Sequence, residues 1–187
     1  MIIGITGIFQ AGKTTVAQLI TSKGYTHIDA DAIGHEVLDE PLIKERLVQT
    51  FGPGILDDGF INRKKLGRRA FKLPESLQQL NTIVHPKILE TIRKKTQDKE
   101  ENIVLDAPLL FETNLQDICD KVIAVTITPA LQEARAKDND WEQEDLDNIN
   151  KAQWPQEKKE ELADFTIQNN GNSDDLKLQV DVILQSL

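Results

Sequence analysis

The chain has one cysteine, one methionine and one tyrosine in 187 residues, and aromatic residues make up only 5% of it. A lone Cys119 excludes an intramolecular disulfide, so the fold rests on its apolar core, and the residue itself reads as a packing side chain. Also missing is any apolar run near the roughly 18 residues that a membrane helix needs. The opening MIIGITG lacks the charged start and cleavage site of a secretory signal. A cytoplasmic protein without a membrane partner is expected. Positive charge is scarce as well: 22 Lys and Arg stand against 31 Asp and Glu, a net −9 at pH 7. That balance argues against nucleic acid as the main partner, because such binding draws its affinity from many basic contacts to phosphate. A small anionic substrate held by locally gathered bases is compatible with it.

What is present is the composition of one globular domain: 39% hydrophobic and 28% charged, with the two signs mixed. Short apolar runs at Ile2–Thr6, His27–Ala30, Ile103–Leu105 and Val122–Thr128, with a weaker one at Phe165–Gln168, read as buried strands. The first is followed by a glycine turn and then Thr14–Lys23, whose Val16, Leu19 and Ile20 share a helical face. Strands alternating with helices imply a parallel sheet with ligands at the carboxyl ends of its strands.

Between the second and third strands, residues 34–99 read as almost wholly helical, with breaks at Gly52–Gly54, Asp57–Gly59, Pro74 and Pro86. Residues 129–163 form a second, charge-rich insertion able to move as a lid. The last helix starts after Asn172, with Ser173 as its expected N-cap and Asp174 and Asp175 complementing its positive end.

Gly7 to Thr14 reads G-x-x-x-x-G-K-[ST] directly after a strand and before a helix. Small residues there let backbone N–H groups and the helix start surround a phosphate. Lys13 would reach the β and γ phosphates, and the Thr14 hydroxyl would ligate Mg²⁺. Phe9 and Gln10 are bulky for such a loop, which points to a reduced nucleotide affinity. Asp29 and Asp31 lie two residues apart, on one side of an extended chain. Either could orient an acceptor hydroxyl, and Asp31 could equally cap the next helix. Asp106 closes its strand, where an acid can hold Mg²⁺ through water or simply form the turn before Pro108.

The series GITG with AGKTTVA, HIDADAIGHEV, FGPGILDDGFINRKKLG, LNTIVHPKI, VLDAPLLFE and ADFTIQNNG resembles the dephospho-CoA kinase family over nearly the whole chain. The resemblance implies an α/β fold of the P-loop NTPase kind: a three-layer, five-stranded parallel sheet (1–33, 100–128, 164–187), a helical substrate insertion (34–99) and a helical lid (129–163). It implies ATP and Mg²⁺ as cofactors, dephospho-CoA as the small-molecule partner, and phosphorylation of its ribose 3′-hydroxyl. A monomer or weak homo-oligomer is expected. Asp31 would be the catalytic acid, acting with Lys13 and Arg135, while Asp29 supports the structure. Gly7, Gln10, Ala11, Gly12, Lys13, Thr14, Thr15 and Asn169 would hold ATP. Thr6, Asp31, Arg63, His85 and Asp106 would line the acceptor, with Thr14 and Asp106 toward the metal. The sequence departs from the family at Asn139 and Asn148, where members often carry arginines, and Lys137 or Lys151 could stand in as point charges. A kinase of another small acceptor, such as a nucleoside monophosphate, and a nucleotide-binding regulatory module without chemistry share the same loop.

Overall fold

The computed structural model describes residues 1–70, 72–97 and 101–187. In chain order its elements are β1 (Ile2–Thr6), α1 (Lys13–Thr21), β2 (Thr26–Asp29), α2 (Ala30–Leu38), α3 (Pro41–Phe51), β3 (Leu56–Asp57) and β4 (Phe60–Ile61). There follow α4 (Arg63–Ala70), α5 (Pro74–Gln97), β5 (Ile103–Asp106), β6 (Lys121–Thr126), α6 (Pro129–Asp138), α7 (Gln143–Ala152), α8 (Gln156–Leu162), β7 (Phe165–Gln168) and α9 (Ser173–Ser186). Contacts divide the chain into two compact units, residues 1–29 with 98–187, and residues 30–97.

The first unit is built on a parallel sheet of order β2-β5-β1-β6-β7. The expected five-stranded parallel sheet is therefore present, with the two most apolar strands flanking β1. Alternation along β1 decides what each face meets. Ile3 and Ile5 are fully buried in a cluster with Val16, Ala17 and Ile20 of α1 and Leu176, Val180 and Ile183 of α9. Gly4 points the other way, where a Cβ would crowd Leu110 and the Cys119 sulfur. Each aliphatic side chain buried in this cluster contributes about 1.5–3 kcal/mol. Truncating Ile5 to alanine at the centre would cost about 2–5 kcal/mol.

The start of α9 corrects the sequence reading. Asn172, not Ser173, is the N-cap: its side chain accepts from the amides of Asp174 (2.8 Å) and Asp175 (3.0 Å), and Asp175 Oδ2 accepts the Asn172 amide in return. Asn172 wins because its backbone is extended and its reach fits the reciprocal carboxylate three residues on, leaving Ser173 inside the first turn.

The second unit is mostly helical but contains one hairpin. Asp58 (φ 47°) and Gly59 (φ 83°) both take the left-handed conformation, which turns β3 back on β4. Asp-Gly between two short strands is a strong two-residue hairpin signal, so what reads as a helix break is a β-turn. Pro86 is no break either: α5 runs through it for 24 residues. The ring removes one backbone donor, yet Ile83, Val84 and Ile92 on either side remain buried, and packing against α2, α3 and α4 outweighs the lost bond. The helix α2 begins at Ala30, so Asp31 lies in its first turn rather than at its N-cap. Lys99, the expected end of the helical insertion, lies outside the described residues.

Candidate active site

The turn from β1 into α1 carries the site, and its backbone explains its sequence. Gly7 has φ 151°, and a Cβ there would collide with the Val125 carbonyl. Gly12 has φ 89°, and a Cβ would collide with the Asn169 side-chain amide. Gln10 adopts φ 62° without being glycine, a left-handed conformation that costs about 1–2 kcal/mol. Its carbonyl is held in compensation by Arg135 Nη1 at 3.2 Å.

Three side chains close on this loop: Asn169, just past β7, and Gln132 and Arg135 of α6. Asn169 is buried and donates to the Ala11 carbonyl at 2.8 Å. The other arm of the Arg135 guanidinium donates to the Asn169 carbonyl at 3.1 Å. Gln132, one turn before Arg135, donates to the Phe9 carbonyl at 2.8 Å, and the Phe9 ring meets Trp141 edge-on with centroids 5.1 Å apart. Lys13 is buried and its ammonium donates to the Ile8 carbonyl at 3.0 Å, folded across the loop.

Below the loop stand the strand ends. Thr14 Oγ1 donates to Asp106 Oδ2 at 3.0 Å, while Asp106 Oδ1 is buried and has no hydrogen-bond partner among the described residues. Burial raises the Asp106 pKa above its ordinary value, opposed by the Lys13 charge and the Thr14 bond, and the Asp29 carboxylate adds to the rise. Asp29 is the β-sheet neighbour of Asp106 across β2 and β5. Thr6 donates to the Pro108 carbonyl at 3.2 Å, just past Asp106.

The structure thus brings together Thr6, Gly7, Gln10, Ala11, Gly12, Lys13, Thr14, Asp106, Arg135 and Asn169, with Thr15 exposed on the first turn of α1. Asp31, Arg63 and His85 belong to the second unit. There Asp31 and Arg63 are exposed, and burial lowers the pKa of His85, keeping its ring neutral. Asn139 does not face the loop: its amide donates to the Arg135 carbonyl at 2.7 Å and closes α6. Asn148, Lys137 and Lys151 are exposed. From the sequence alone Gln132 has no evident partner and Asp29 reads as structural support. The signals available were the i, i+3 spacing of Gln132 with Arg135, and the placing of Asp29 and Asp106 at strand ends.

A bare buried carboxylate oxygen beside a threonine hydroxyl, under a glycine turn that opens a helix, suits a divalent cation held through water and phosphate oxygens. Among the described residues no cluster of three His, Cys, Asp or Glu could hold a metal by protein ligands alone. Parallel sheet, phosphate loop and strand-end acid together define a P-loop kinase. The model of the dephospho-CoA kinase (CoaE) family matches residues 1–175. A dephospho-CoA kinase of Fusobacterium nucleatum is 35% identical over 190 residues, covering 100% of this chain and 98% of that one. Among solved structures, one from Thermus thermophilus superposes with TM-score 0.85 at 30% identity, covering 100% and 97%. The dephospho-CoA kinase from Campylobacter jejuni gives 0.73 at 28%, covering 99% and 96%. The chain belongs to the dephospho-CoA kinase family. It is a phosphotransferase whose phosphoryl donor is ATP. Among the described residues no helix is long and apolar enough to cross a membrane.

Proposed function

We propose that this chain transfers the γ-phosphoryl of ATP to the ribose 3′-hydroxyl of dephospho-CoA, giving coenzyme A and ADP. The observation that carries this reading is the phosphate turn set against Thr14 and a bare Asp106 oxygen, in a chain of this family. Phosphoryl transfer asks little covalent chemistry of a protein, so positioning and charge neutralisation are most of the work.

Lys13 swings from the Ile8 carbonyl onto the β and γ phosphates, while the loop amides and the start of α1 take the remaining charge. Bound Mg²⁺ would supply charge neutralisation on the transferring phosphates, and Thr14 and Asp106 are the residues that would hold it. Arg135 leaves the Gln10 and Asn169 carbonyls and turns its fork toward the transferring group. Asn169, fixed on Ala11, borders the adenine. Asp31 accepts or orients the acceptor hydroxyl, and Thr6, Arg63 and the neutral His85 contact the acceptor. Residues 129–163, which include α6, α7 and α8, act as the lid, and residues 34–99 as the acceptor-binding insertion. The reaction belongs in the cytoplasm.

The test is product identification by mass after incubation with ATP, Mg²⁺ and dephospho-CoA, beside a panel of nucleoside monophosphates. Coenzyme A should form and ADP be released only with dephospho-CoA. Turnover of a nucleoside monophosphate with none of dephospho-CoA overturns the proposal.

A further inference from the structure

The segment leaving β5 is tied from two sides at one atom. The Pro108 carbonyl accepts from Thr6 Oγ1 at 3.2 Å and from the Lys159 ammonium at 2.5 Å. Lys159 sits on α8 with no exposed surface. Its charge is met by Glu112 Oε1 at 2.8 Å, and that same oxygen accepts the Trp154 amide at 2.7 Å. The turn entering α8 and the loop leaving β5 are therefore clasped by one ion pair. Glu112 Oε2 is buried and has no hydrogen-bond partner among the described residues.

Stability does not explain such a pair. Desolvating an ammonium and a carboxylate offsets most of their attraction, and apolar replacements of similar volume are often neutral or better. Here burial lowers the pKa of Lys159 in spite of Glu112. What distinguishes the pair is its address. Pro108 lies two residues past Asp106, whose carboxylate faces Thr14, and Ala107 between them is fixed by its amide on the Ile5 carbonyl at 3.0 Å.

We propose that Lys159 is a positioning residue for the reaction: it holds the Pro108 carbonyl and so sets the Asp106 carboxylate, while Glu112 aims it. The pair also ties the base of α8 to the strand end that carries the acid. The inference rests on reading Asp106 as the metal-holding residue.

The test compares Lys159→Met, Glu112→Gln, the double variant and Asp106→Asn. Each is measured for calorimetric ATP affinity with and without Mg²⁺, for kcat and for Tm. Lys159→Met should keep metal-free ATP binding within about twofold, while losing roughly tenfold of the Mg²⁺-dependent gain in affinity and of kcat, as supporting contacts behind a metal ligand do. The double variant should regain Tm, since no unpaired charge stays buried, without regaining the Mg²⁺-dependent gain. If Lys159→Met does not fold, the double variant carries the comparison. Recovery of Tm, kcat and Mg²⁺ response together in the double variant would show a purely structural pair and overturn the inference. Asp106→Asn separates the two levels. If it abolishes the Mg²⁺ response while the Lys159 variants keep theirs, the positioning role fails alone. If it leaves that response intact, the reading of Asp106 fails and takes the inference with it.

Discussion

Thr14 and Asp106, 92 positions apart in sequence, meet at 3.0 Å with one carboxylate oxygen engaged and the other buried and bare. Burial lifts the pKa of Asp106 above its ordinary value, against the opposing Lys13 charge and Thr14 bond. A group whose pKa is raised on folding contributes stability below its unfolded pKa and loses that contribution as pH climbs through the folded value. At neutral pH the ionised form is therefore a cost to the fold and a benefit to cation binding. Asp106→Asn should leave the nucleotide-free Tm at pH 7.5 unchanged or higher while kcat falls by about 10² or more. A Tm lowered by several degrees with kcat preserved would reverse this assignment. In the wild type, the Mg²⁺-dependent gain in ATP affinity should fade on acidification at a higher pH than an exposed aspartate would give.

Asp31 makes a different prediction. It is exposed in the first turn of α2, where a negative charge complements the positive end of the helix. Asp31→Asn should keep the ATP dissociation constant within about twofold and lower kcat by about 10² or more, the usual weight of a positioned acid or base. Lost ATP binding with normal turnover per bound complex, read by calorimetry beside single-turnover assays, contradicts the role.

The strands and the phosphate turn were legible because their signals are local: apolar runs, a fixed glycine and lysine spacing, and a helical stripe after them. The elements that escaped are those in which distant packing or a competing side chain decides. Pro86 reads as a break until Ile83, Val84 and Ile92 are seen buried around it. Ser173 reads as a cap until Asn172 is found paired with Asp175. Lys159 lies in the run QEKKEE, which reads as a solvated face, and only Glu112 and the Pro108 carbonyl, far back in the chain, make it a buried charge. The pairing of Asp29 with Asp106 is a matter of sheet register, which no local spacing encodes.

Cys119 tests the packing of β1 from its other face. Its thiol donates to the Leu115 carbonyl at 3.4 Å, and burial, helped by the charge of Asp120, pushes its pKa to about 12. Thiolate is the reactive form, so the folded protein should resist a chromogenic disulfide reagent at pH 8 and react with one equivalent only on denaturation. Stoichiometric reaction of the native protein within minutes would mean that this face opens readily.

Arg135 carries the last prediction. Its fork bridges the Gln10 and Asn169 carbonyls, so it both braces the phosphate turn and stands ready at it. Asn139, four residues on, donates to the Arg135 carbonyl and closes α6, while Lys137 of the same helix is exposed. Arg135→Ala should lower kcat by about 10³, the scale of a transition-state arginine. Arg135→Lys restores the charge but not the two-pronged geometry, and should recover only part of that loss. If Lys and Ala variants both keep wild-type kcat while Tm drops, the residue only braces the turn. If Lys restores kcat in full, charge alone matters and the fork is dispensable.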